Sequence, residues 1–135
     1  MEPACINQRL IGLSIKNKQI DLNICHALFN SIIGMFFLEA AGFERGEGVL
    51  DLSKDSFEKT YMLNPFLLSI DDKSNILSKF EILKNRKILS VEDELNQKDR
   101  KDFDLTVLRA FKIEEYYEHI KNCLLKMQRI RLNVK

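Results

Sequence analysis

The chain has 135 residues and is poor in several things: no tryptophan, two prolines, five glycines, two histidines and three cysteines. Cys5, Cys25 and Cys123 are odd in number, far apart and include no CxxC pair. That pattern suits a reducing compartment, here expected to be the cytoplasm, rather than a disulfide scaffold. With only His26 and His119, no Ser-His-Asp or Cys-His arrangement can be argued, and acid–base candidates are scarce. No glycine-rich strand-turn-helix of the kind that holds a cofactor is present. The N-terminal residues lack the basic-then-apolar order of a secretion signal. There is no excess of one charge: the net value is +1, so contact with nucleic acid requires a local basic face. The one long apolar run, residues 24–43, is interrupted by His26, Asn30, Ser31 and Glu39. It reads as a helix buried in protein, not as a membrane span.

What the chain does have is an ordinary globular balance, 45% hydrophobic and 30% charged residues. A chain of this size buries roughly 65–70% of its unfolded surface. The run Arg9-Leu-Ile-Gly-Leu-Ser-Ile15 predicts a strand, with Gln19-Ile-Asp21 pairing back on it. Residues 22–41 predict a single helix whose apolar positions cover almost the whole circumference, and Gly42 stands where a left-handed cap would end it. A loop with two glycines follows, then a short strand at residues 49–52 and a helical turn capped by Ser53. Beyond Asp71 the chain predicts helices at 75–89, after Ser90 (with Asp93 as its capping partner), over 103–111 and over 113–127, with a polar bend at 96–102. The expected fold class is α+β, mainly α. A buried central helix packs on a small β-sheet formed by residues 9–15 and 49–52, and the C-terminal helices follow. Residues 1–70 form a strand-helix-loop-strand recognition unit. Residues 71–135 form a helical tail, joined with the first in one compact unit.

Several chemical constellations are present in outline. His119 and Cys123 stand four apart on one helix face, but Cys25 and His26 are sequence neighbours pointing to different faces, so a two-Cys, two-His zinc site is set aside for core packing. Asp71-Asp72-Lys73 and Asp99-Arg100-Lys101 have the bare spacing of a metal-dependent nuclease, yet both lie in polar turns or helix starts. Asn64-Pro65-Phe66 lacks one proline of the loop with which adenine methyltransferases hold a flipped base, and reads as a turn. The chain is therefore expected not to be a catalyst alone, with no metal. In Gly42-Phe-Glu-Arg-Gly-Glu-Gly48, Gly46 and Gly48 give backbone freedom and Arg45 has the reach for a phosphate or a guanine edge, with Lys54 and Lys59 close behind. The basic residues Lys121, Lys126, Arg129, Arg131 and Lys135 predict a solvated face near the chain end.

Two blocks carry a family resemblance. Leu28-Phe-Asn-Ser-Ile-Ile-Gly-Met-Phe-Phe37 with Gly42-Phe-Glu-Arg-Gly-Glu-Gly-Val-Leu-Asp-Leu-Ser53 is the first. Asp99-Arg-Lys-Asp-Phe-Asp-Leu-Thr-Val-Leu-Arg-Ala-Phe111 with residues 116–131 is the second. Together they resemble the C-terminal target-recognition region of N6-adenine DNA methyltransferases and fused restriction-modification enzymes, over residues 9–131. The family often carries a third glycine where this chain has Glu44 or Glu47. The resemblance implies double-stranded DNA as partner, with Arg45, Gly46, Gly48 and Lys54 as contact residues. It also implies S-adenosylmethionine bound by the parent enzyme, not by this chain, and a catalytic methyltransferase domain or subunit supplied separately. The alternative is a protein–protein interaction module that docks such a catalytic partner.

Overall fold

The computed structural model describes residues 14, 16–44 and 49–133. Seven α-helices are found among them: α1 Leu22–Asn30, α2 Ile32–Ala41, α3 Lys54–Lys59, α4 Ile70–Lys84, α5 Val91–Glu94, α6 Lys98–Ala110 and α7 Tyr117–Asn133. Two-residue strands β1 Phe43–Glu44 and β2 Leu50–Asp51 pair antiparallel, Phe43 opposite Asp51 and Glu44 opposite Leu50.

The mainly helical class holds, but the expected sheet packing is not shown among the described residues. The first strand, residues 9–15, lies outside the described residues except for Ser14, which is exposed and not in a strand. Its expected partner, Gln19-Ile-Asp21, is a turn closed by Ile20 N–H on Asn17 O at 3.0 Å, and Asp21 serves as N-cap of α1. Among the described residues the one strand pairing is that of β1 and β2, two residues each, too small to be a layer for a helix to rest on.

The central helix is also two helices. Ser31, in extended conformation, closes α1 and opens α2, which are bent by 74°. Its Oγ donates to Leu28 O at 2.7 Å and accepts from Gly34 N at 3.3 Å. A hydroxyl that satisfies both helix ends makes the break cheap, which is why serine competes with helix continuation even inside an apolar run. Gly34 is needed there: a Cβ would stand 2.3 Å from Leu28 O. Gly42 ends α2 with φ −75° rather than left-handed, and its smallness is used for the close approach of Leu50.

The bend sends the two helices into separate halves of the core. Ile24, Ala27 and Leu28 of α1 pack with Ile76 and Phe80 of α4 and Phe103 and Val107 of α6. Ile32 and Ile33 of α2 pack with Leu108 of α6, Leu95, and Tyr117, Ile120 and Leu124 of α7. Helix α6 thus serves both clusters. The outer part of α2, Met35 to Glu39, is only half-buried, so the full burial expected of this helix holds for its first turn alone. No single helix among the described residues is long and apolar enough to cross a membrane. The bent pair α1 and α2 passes by length and composition together, but its apolar side chains supply the core just described.

Helix boundaries follow from caps. Ser69 and Asp72 form a reciprocal capping box that starts α4 at Ile70, earlier than the apolar spacing alone suggests. Ser53 caps α3 and Ser90 caps α5, as the sequence predicts. Helix α6 ends without glycine: Lys112 takes φ 58°, its N–H meets Arg109 O at 2.9 Å and the Ile113 N–H meets Leu108 O at 2.9 Å. These are the two bonds of a Schellman cap, with Ile113 packed on the cluster containing Leu108.

Candidate functional site

Arg45, Gly46 and Gly48 lie outside the described residues. Their flanks are described. The strands β1 and β2 bracket residues 45–48, and the base of this hairpin is held at the ends of α2 and α7. Glu39, near the end of α2, takes a bidentate ion pair from Arg131 of α7, with Nε at 2.6 Å and Nη2 at 3.2 Å from its two carboxylate oxygens. Both side chains are largely covered. Gly42, Phe43, Leu50, Met127 and Ile130 line the same shallow hollow as this pair.

Lys54 begins α3, is largely exposed, and its ammonium lies 3.6 Å from Glu58 one turn on. Helix α3 leans on the first two helices through Phe57 against Phe29, with ring centres 5.7 Å apart, and Thr60 Oγ1 donates to Phe37 O at 3.1 Å. The described part of the expected basic tail is mostly tied within the fold. Lys121 donates to Leu95 O and Asn96 Oδ1, Arg129 pairs with Glu92, and Arg131 with Glu39.

The strongest polar arrangement is one that sequence spacing did not single out. Arg100 and Asp104, four apart on α6, are both buried. Arg100 Nε and Nη2 donate to the two Asp104 oxygens at 2.8 and 3.0 Å. The same Nη2 donates to Asn30 O at 2.6 Å, and Asp104 Oδ1 accepts from Ile32 N at 2.8 Å. One ion pair thus takes the last carbonyl of α1 and the first amide of α2, the groups a helix break leaves open. Burial pushes the Asp104 carboxyl up, against the pull of Arg100 and the Ile32 amide. The signal in the sequence was Arg100-x-x-x-Asp104 on a helix face otherwise apolar at Phe103 and Val107.

Beside it, Arg86 binds Glu94 bidentately at 2.7 and 2.8 Å and Asp99 at 2.6 Å, closing the connection between α4, α5 and α6. The hydrogen bonds from Arg86 hold Glu94 below the usual carboxylate range. Asp99 is lowered too: burial pushes it up, but the bonds from Arg86 and the Arg100 amide outweigh that. In Asp99-Arg100-Lys101 the first two side chains are thus engaged in joining helices, while Lys101 pairs with Glu118 at the surface. In Asp71-Asp72-Lys73, Asp72 is the capping partner of Ser69, and Asn64 Oδ1 accepts from Phe66 N to start a 3₁₀ turn at Pro65–Leu67.

Cys25 is buried, which raises its thiol pKa, and His26 lies edge-on to Phe80, with ring centres 5.0 Å apart. Cys25 is thus a core side chain, whereas His26 is exposed and touches the protein through that ring edge. His119 and Cys123 face one another on α7, Sγ to Nε2 3.7 Å. Among the described residues no group of three His, Cys, Asp or Glu side chains is placed to hold a metal ion. No protein-family model, no curated protein and no solved structure matches this chain.

Proposed function

We propose that this chain is the C-terminal, target-recognition part of an N6-adenine DNA methyltransferase or fused restriction-modification enzyme, with S-adenosylmethionine and the catalytic loop supplied by a separate domain or subunit. The observation that carries this reading is the meeting of the two sequence blocks on which the resemblance rests. Arg100 and Asp104 of the second block fasten the Asn30–Ser31 break of the first. The Arg100–Asp104 ion pair lies within α6, and its hydrogen bonds to the Asn30 carbonyl and the Ile32 amide, about 70 residues away in sequence, tie the two blocks into one folding unit. The break, in turn, directs α2 toward the hairpin that brackets Arg45, Gly46 and Gly48. Target reading is assigned to Arg45, with Lys54 as an accessory cation.

Duplex binding measured by fluorescence anisotropy at stepped salt tests this. Ion contacts with phosphates make log affinity fall with log salt at about −0.9 per contact. Arg45→Ala removes about 1–3 kcal/mol and relaxes preference at one position if the side chain reads a base. It weakens all sequences alike, with a shallower salt slope, if the contact is to phosphate. Duplex binding that Arg45→Ala leaves untouched overturns the assignment.

A specific observation also favours docking on a catalytic partner. The strap after α3 leaves Tyr61, Phe66, Leu67 and Ile70 exposed, Ile70 by 84% and Tyr61 by 77%. Four large apolar side chains left exposed within ten residues of chain are what a partner surface would cover if they form one patch. In this second reading Leu67→Asp and Ile70→Asp abolish association with an adenine-methyltransferase core. Unchanged association removes it.

A further inference from the structure

The geometry points to a two-point chelate for a thiophilic divalent cation of the zinc class, formed by His119 and Cys123 on the outer face of α7. The residues are one helical turn apart, so their side chains rise from the same face and meet over the turn between them. His119 is exposed and Cys123 half-buried, so an ion can reach both from solvent. The donor atoms, Sγ and Nε2, are 3.7 Å apart. A tetrahedral zinc ion with Zn–S of about 2.3 Å and Zn–N of about 2.0–2.1 Å sets its sulfur and nitrogen donors about 3.6 Å apart. The side chains therefore already stand at the separation the metal requires, and binding needs no movement of the helix backbone. Sulfur with imidazole selects zinc, or cobalt as its spectroscopic substitute, over the oxygen-seeking magnesium and calcium. Two coordination positions remain for water. On binding, the Cys123 S–H bond breaks, its proton leaves to the buffer, and the thiolate and the neutral His119 nitrogen each give a lone pair to the metal.

Cobalt titration of the full chain under reducing conditions provides the test, read by the thiolate-to-cobalt charge-transfer absorption. One equivalent is expected to raise the band, and zinc is expected to bleach it by displacement while magnesium does not. Cys123→Ser is expected to abolish the band, and His119→Ala to weaken cobalt binding clearly, because one of the two protein donors is lost. Both positions lie on the outward side of α7, and an unchanged thermal midpoint verifies that each variant is folded. No band in the parent chain, a band that survives Cys123→Ser, or affinity unaffected by His119→Ala overturns the proposal.

Discussion

At the scale of single residues, the largest energetic weight falls on Arg100 and Asp104. A buried ion pair is not in itself stabilising, because desolvation offsets the attraction, but removing one partner strands the other charge. Here it also strands Asn30 O or Ile32 N. Asp104→Ala and Arg100→Ala are each expected to lower stability by about 3–5 kcal/mol in urea titration. The double variant should cost clearly less than their sum, since the two lose the same interaction. Lys112 predicts the opposite sign. Its left-handed φ of 58° costs an L-residue about 1–2 kcal/mol, while glycine there loses about 0.5–1 kcal/mol in chain entropy. Lys112→Gly should therefore stabilise, by about 0.5–1 kcal/mol, and a lower urea midpoint would contradict the Schellman geometry. Glu94 gives the pH response. Its folded pKa is depressed by Arg86, so its contribution is complete above the ordinary value of 4.5 and drains away as pH falls through the folded value. Glu94→Gln should flatten the acid limb of the stability curve in that window while lowering stability at neutral pH.

At the scale of elements, the caps were readable and the break was not. Ser53 and Ser90 lie at boundaries where hydrophobic periodicity also changes, so two signals agree. Ser31, with Asn30, interrupts the apolar run, but the helical spacing of the apolar residues continues across it, so the pattern of residues 22–41 fits one helix as well as two. What decides between them is a tertiary event, the arrival of Arg100 and Asp104 from α6, to which local spacing is blind. The short strands illustrate the same limit: an apolar run of residues 9–15 has β character by composition, yet its expected return segment is a turn made by Asn17. The two glycines of this region should respond differently to alanine. At Gly34 the new Cβ meets the backbone oxygens of Leu28 and Phe29 at 2.3 and 2.6 Å, and backbone in a helix end has nowhere to go. At Gly42 the two nearest atoms belong to the Leu50 side chain, Cδ1 at 2.3 Å and Cγ at 2.8 Å, which can move with a rotamer change, and the Asp51 backbone oxygen follows at 3.2 Å. Gly34→Ala is thus expected to destabilise severely, and Gly42→Ala mildly, by thermal melting. The reverse order would mean that Ser31 does not break the helix.

At the scale of the whole molecule, the arrangement of α6 governs cooperativity. Phe103 and Val107 belong to the cluster under α1 and α4, while Leu108 belongs to the cluster under α2 and α7. Neither cluster can lose α6 without opening both, and the ion pair at the α1–α2 break joins them again. The sequence divides by texture near residue 70, apolar before and alternately polar after, which suggests a recognition unit and a tail. Packing does not respect that boundary, because each half of the broken helix finds its apolar partners in the later helices. The candidate site suffers a related loss of legibility: Arg45 is conspicuous in sequence, but Glu39 and Arg131, which join α2 to α7 beside the described flanks of residues 45–48, are 92 residues apart and read singly as surface charges. Two consequences can be measured. Unfolding followed by helix circular dichroism and by tyrosine fluorescence should trace one transition, as expected when no part is stable alone. A piece ending at residue 70 should show little helix on its own, since Ile24, Leu28 and Ile32 would then face water, each forgoing roughly 1.5–3 kcal/mol of burial. Two resolved transitions, or a folded N-terminal piece, would make α6 a mere lid on an independent recognition unit.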